Sequence, residues 1–176
     1  VYFIMEIIHA ESKVAPIESS VLTVGSYDGL HRGHQKLLRT VVEHANICGS
    51  SSVCVTFDPH PRYVLNTETE KKNQIMSLNQ KLDIIDTLGM EYVHIIKFSK
   101  KFSNISAQDF MTKIIIPNFN PKKIISGTNH HFGKNRGGSP SFLKSFGEDN
   151  NIDVIAIKPV IDDKTEISSS KIRKYL

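Results

Sequence analysis

The chain has 176 residues, 39% of them hydrophobic and 23% charged, enough for one domain with a sizeable core. Its formal charge of +4 suits an anionic partner, nucleotide as well as nucleic acid, but the lysines and arginines are scattered as on a solvated surface, and the lack of interleaved aromatics disfavours RNA. The apolar opening VYFIMEII is too short to cross a bilayer and carries Glu6, so no membrane partner is expected, and Cys48 and Cys54, without metal-ligand spacing, read as free buried thiols of a reduced, cytoplasmic compartment.

In chain order, the opening run is expected as an edge strand. Residues 21 to 24 (VLTV) then form a buried strand that stops at Gly25 and a short turn of Ser26, Tyr27, Asp28 and Gly29. His31, Gly33 and His34 follow, at the start of a helix whose apolar side holds Leu37, Leu38, Val41, Val42 and Ala45 and which ends at Gly49. One histidine at a helix start reads as a solvated cap. Two of them three residues apart share a face of the first turn, and the glycine between them lets a ligand approach the backbone. With the open N–H groups of a helix start they make a cradle for phosphate oxygens.

Residues 52 to 57 (SVCVTF) predict a second buried strand. Asp58, Pro59, His60, Pro61 and Arg62 predict a rigid extended exit from it, neither helix nor sheet interior, with Arg62 offering a guanidinium to phosphate. Residues 63 to 77 read as a surface loop. A helix from Asn79 closed by Gly89, a strand over 92 to 98, a helix opened by a capping box at Ser106 to Asp109 and stopped by Pro117, and a strand over 122 to 126 come next. GTNHHFGKNRGGSP, residues 127 to 140, is a glycine-rich loop whose backbone approaches something closely, with Asn129 placed to bond a nucleotide or substrate group. His130 and His131 resemble half a metal site, but no third ligand has fitting spacing. A short helix capped by Ser139, a last strand over 152 to 158, and a closing helix opened by Ser168, Ser169 and Ser170 with Arg173 behind them complete the chain. Strands alternating with helices throughout predict an α/β fold with a parallel sheet covered on both faces, and the ligand-shaped segments should converge on its carboxyl edge.

GSYDGLHRGH resembles the HxGH signature of the nucleotidyltransferase superfamily, and ISSSKIR its ISSxxIR motif. With FDPHPR, KFSKKFSNISAQDF and GTNHHFGKNRGG added in order, residues 21 to 176 resemble the FMN adenylyltransferase (FAD synthetase) domain of the bacterial bifunctional riboflavin kinase/FAD synthetase family. The resemblance implies a Rossmann-like nucleotidyltransferase fold and transfer of the adenylyl group of ATP to FMN, giving FAD and pyrophosphate, with Mg²⁺ held mainly through phosphates and Asn129 as its one candidate side chain. His31, His34, Arg62, Asn129 and Arg173 match the catalytic positions. Gly25, Ser26, Tyr27, Asp28, Gly33, Ser168, Ser169 and Ser170 match those that shape or line the ATP and phosphate site. Pro59, His60, Phe132, Gly133 and Arg136 fall on the FMN side. Ser26 stands where Asn is commoner, Tyr27 for Phe and His130 for an aromatic residue. The chain reads as a single adenylyltransferase domain, 1 to 176, ending before the riboflavin kinase domain that follows in bifunctional members. The alternatives are an adenylyltransferase acting on nicotinate mononucleotide or phosphopantetheine, against which the PHPR and FGKNR segments count, and a non-catalytic nucleotide-binding module.

Overall fold

The computed structural model describes residues 4–9, 15–65, 75–162 and 165–175. In chain order these form β1 (Glu6–His9), β2 (Ser20–Val24), α1 (Arg32–Cys48), β3 (Ser51–Asp58), α2 (Pro61–Leu65), α3 (Leu78–Thr87) and β4 (Tyr92–Lys97). Then come α4 (Ala107–Phe110), a π turn (Met111–Ile115), α5 (Ile116–Phe119), β5 (Pro121–Gly127), α6 (Pro140–Asn150), β6 (Asp153–Ile157), a two-stranded ribbon of β7 (Ile161–Asp162) and β8 (Thr165–Glu166), and α7 (Ser169–Ile172).

The six longer strands form one sheet in the order β1-β4-β3-β2-β5-β6, every pair parallel. Strands buried on both faces carry continuous apolar runs in which neighbours serve opposite layers. Val21, Cys54, Ile95 and Ile125 pack with Leu38, Val41 and Ala45 of α1 and Ile85 of α3. Their chain neighbours Leu22, Val53, Val55, Ile96 and Ile124 pack with Phe110, Met111, Ile115, Phe119, Leu143 and Phe146 on the other face. From β2 the chain winds outward through β3 to β4, then returns beside β2 to build β5 and β6. The winding therefore reverses between β2 and β5, and in open parallel sheets the crevice at such a reversal is where ligands bind.

Three expectations are corrected. The segment after β3 is not extended throughout, because Pro61 opens the short helix α2 and Arg62 lies in its first turn; a proline has no N–H to lose at that position. Pro117 does not stop its helix. The wide π turn directly before it relaxes the ladder that a proline would otherwise disrupt, and the helix runs on to Phe119, with Asn120 in the left-handed region at φ 38°. Cys54 is buried, but Cys48 is exposed at the end of α1, since its helical position faces away from the core. At the predicted capping box, Ser106 accepts a hydrogen bond from the Asp109 backbone, whereas the reciprocal box joins Ser77 and Gln80 at the head of α3. Most of the predicted surface loop, residues 66–74, lies outside the described residues.

Candidate active site

Loops leaving the carboxyl ends of β2, β5 and β6 enclose a polar cleft of about 340 Å³. It is lined by Gly25, Ser26 and Tyr27, by His31, Gly33 and His34, by Asn129 and His130, and by Ser168, Ser169 and Ser170. Segments more than a hundred residues apart in sequence are thus brought to one edge.

The histidine motif has the geometry its spacing predicts. The His31 and His34 rings stack with centroids 3.7 Å apart and planes at 21°. His31 is the N-cap of α1 and makes no side-chain cap hydrogen bond, and the first turn holds no acidic residue, so this helix start keeps its affinity for an anion. Gly33 serves the ring stack as much as ligand access, because a Cβ there would lie 3.2 Å from the His31 ring. Burial, then the charge of neighbouring His31, pushes the His34 pKa down to about 3 against the opposing pull of Asp28. His34 Nδ1 is buried with no hydrogen-bond partner among the described residues. Tyr27, read from sequence as part of the ligand turn, is also a support: its hydroxyl shares a 2.6 Å hydrogen bond with Thr23, and its ring meets the His34 ring edge-on at 5.3 Å.

Asp28 ties three segments together. One carboxylate oxygen accepts from the Arg173 guanidinium and the other from the Ile75 backbone N–H at 3.2 Å, while its carbonyl accepts from Ser169 Oγ at 2.7 Å. Arg173 is therefore engaged through Nη2, and its buried Nε has no partner among the described residues. Ser168 caps α7 by accepting from the Lys171 backbone. Arg62 lines neither this cleft nor the cavity beside it; its backbone N–H donates to His60 Nδ1 at 3.0 Å, and its Nε is buried without a partner among the described residues.

Beside the polar cleft, over the ends of β3 and β4, lies a larger cavity of about 610 Å³ with aromatic walls of Phe57, Phe98, Phe102, Phe110 and Phe132. His60, Gly133 and Arg136 line it as well, and Arg136 Nη2 donates to His131 Nδ1 at 3.2 Å. Pro59 is exposed, and Pro61 stands in the wall instead. Gly133 has a φ of +71° and a Cβ there would fall 2.8 Å from the Ala107 backbone nitrogen, so only glycine lets the loop close on α4. That closure is completed by the Lys134 N–H donating to the Ile105 carbonyl at 2.7 Å. Ser26 lines both the cleft and the cavity.

Sequence reading passed over two groups. Lys81 is 4% exposed on α3 and reaches the Ser26 carbonyl; it stood in a helix pattern read only for its apolar positions. His130 reads in sequence as half a metal site and as standing in for an aromatic residue but not as a site residue, yet it lines the polar cleft, stacks on Phe132 at 5.9 Å, and has its pKa pushed down to about 4 by burial.

The family model for FAD synthetase matches residues 13–171. The chain belongs to the FAD synthetase family. Among curated relatives it is 33% identical to the bifunctional riboflavin kinase/FMN adenylyltransferase of Buchnera aphidicola subsp. Acyrthosiphon pisum, over 98% of this chain and 55% of the relative. It is 31% identical to the protein of the same name from Bacillus subtilis, over 89% of this chain and 49% of that one. The chain thus spans about half the length of these relatives. Among solved structures, one titled a macrolide-efflux protein from Streptococcus pneumoniae superposes with a TM-score of 0.84 at 27% identity, covering 97% of this chain and 57% of that one. A pantoate-beta-alanine ligase from Francisella tularensis shares the fold at a TM-score of 0.60 and 12% identity, over 96% and 73% of the two chains. No helix among the described residues is long and apolar enough to cross a membrane. The residues that the FAD synthetase model matches thus include those around the crevice where the winding of the parallel sheet reverses.

Proposed function

We propose that this FAD synthetase domain transfers the adenylyl group of ATP to FMN, releasing FAD and pyrophosphate. The observation that carries the reading is the meeting at Ser26 of a polar, histidine-lined cleft and a larger aromatic cavity, one suited to a polyphosphate and the other to a flat apolar ring system. The FMN phosphate is already anionic at neutral pH, so the reaction needs no side-chain nucleophile. Its oxygen attacks the α-phosphorus of ATP, the bond from that phosphorus to the bridging oxygen breaks, and pyrophosphate leaves with the electron pair.

What the chain supplies is alignment and charge. Holding the two reactants in line contributes on the order of 7–11 kcal/mol of the barrier. The stacked His31 and His34 present ring nitrogens where charge builds on the departing pyrophosphate, and well-placed donors of this kind contribute about 3–4 kcal/mol each. Ser168, Ser169, Ser170 and Gly33 shape the polyphosphate cleft, while Phe132, Gly133, Arg136 and His60 face the flavin. Among the described residues no group of three or more His, Cys, Asp or Glu side chains could hold a metal. The donor set fits a Mg²⁺ that arrives on the polyphosphate, with exposed Asn129 offering one carbonyl oxygen; when bound, the ion neutralises phosphate charge. The riboflavin kinase activity in the relatives' names is not assigned to this domain.

The test is pyrophosphate release from ATP and Mg²⁺ with FMN, nicotinate mononucleotide and phosphopantetheine in parallel. Release with FMN alone, accompanied by FAD, is expected. Release with another acceptor transfers the same mechanism to that substrate, and ATP binding without release to any acceptor leaves a nucleotide-binding module.

A further inference from the structure

Lys81 occupies a core position. It lies one helical turn before Ile85 on the buried face of α3, with 4% of its surface exposed, where an apolar side chain would pack at no electrostatic cost. An ammonium withdrawn from water needs a counter-charge or hydrogen bonds in return. Among the described residues its hydrogen bonds go to two neutral oxygens: Nζ donates to the Ser26 carbonyl at 2.8 Å and to Thr56 Oγ1 at 3.4 Å. Thr56, fully buried on β3, donates to the same carbonyl at 3.4 Å. Two donors from two elements therefore converge on the one backbone carbonyl that belongs to the wall shared by cleft and cavity.

The surrounding charges come from every element packed against it. Asp28 on the turn and Asp58 at the end of β3 favour the ammonium, although burial outweighs them, while the Cys54 thiol on β3, pushed up to about 12 by burial, stays neutral. His34 on α1 and His60 beyond β3 are both held towards the neutral state in part by its charge.

We propose that Lys81 is a positioning residue for adenylyl transfer, pinning the Ser26 carbonyl from beneath and holding a buried positive charge under the junction of the two substrate clefts. The proposal rests on the reaction assigned above. A backbone turn held from below cannot drift as polyphosphate and flavin phosphate approach it from two sides, and a fixed buried charge costs no reorganisation when phosphate charge shifts.

Lys81→Met keeps the length and apolar stem and removes the charge. In protein of unchanged circular dichroism, kcat for FAD formation is expected to fall about 10- to 100-fold, while the FMN dissociation constant, read from flavin fluorescence, stays within about twofold. The His34 ring, followed by NMR titration, should also protonate at higher pH than in the parent. A kcat within about twofold of the parent, or a fall matched by an equal loss of FMN affinity, overturns the proposal. A parent protein that makes no FAD overturns the assigned reaction instead. The role of Lys81 in adenylyl transfer falls with that reaction, and the His34 titration then tests only the placement of its charge, which superimposable curves would also overturn. If K81M does not fold, Thr56→Val, which removes the second oxygen, goes through the same measurements, with a fall in kcat of about threefold or more supporting the proposal and a smaller one overturning it.

Discussion

At the scale of single residues, the site holds half-buried imidazoles, and loss of solvent keeps His34 near a pKa of 3 and both His60 and His130 near 4. They are uncharged near neutral pH, and under the proposed function a polyphosphate bound beside His34 should favour the imidazolium. ATP binding at about pH 6 should therefore take up protons, seen as a binding enthalpy that changes with the ionisation enthalpy of the buffer. The folded pKa values lie below the ordinary 6.5, so the unfolded chain binds more protons, and stability present above that value is lost as pH falls through the window down to about 4 and then 3. Denaturant midpoints should decline across that window, less steeply in His34→Asn. The same residue should govern turnover: His34→Ala is expected to lower kcat about 100-fold or more while FMN affinity is kept. Equal losses in both would remove it from the leaving-group role. Arg62 is a sharper question, since it lines neither cleft. The proposal that Arg62 positions the phosphates predicts a lower kcat or a raised Michaelis constant in Arg62→Ala, and an enzyme unchanged in all of them would strike it from the site.

At the scale of elements, Asp28 joins the histidine turn, the segment entering α3 and the closing helix α7. Its side chain is 4% exposed and that of Arg173 is 12% exposed. Breaking such a pair strands a buried charge, and Asp28→Asn should cost about 3–5 kcal/mol, measured by denaturant unfolding. The closing helix should become sensitive to limited proteolysis before the sheet unfolds. Gly133 is the other hinge of construction. Gly133→Ala forces a Cβ onto the Ala107 backbone at an unfavourable φ, so the glycine-rich loop should lift from α4. FMN binding should weaken more than ATP binding, because this loop walls the aromatic cavity.

At the scale of the whole molecule, two clefts that meet at one serine predict that ATP and FMN each bind alone, and that Phe132→Ala weakens FMN about tenfold with ATP affinity unchanged in calorimetry. Much of this was legible in the chain. The runs at 21–24 and 52–57 are apolar enough to be buried on both faces, and the alternation of strands with helices permits little besides a parallel sheet. The spacing of His31 and His34 set their shared face before any neighbour was known, because helix geometry is local. What the sequence by itself determined was thus the element types, the layered fold and the motif residues, all governed by short-range periodicity. Which groups meet was decided by tertiary structure alone. Arg173, read as a phosphate ligand, is paired to a carboxylate 145 positions away, and Lys81, read as an ordinary helix position, is buried beneath the turn it holds. The burial that pushes the histidine pKa values down and the aromatic cavity assembled from β3, α2, α4 and the loops between elements are of the same kind, since desolvation and long-range pairing depend on which surfaces the sheet brings together, and no local pattern encodes that.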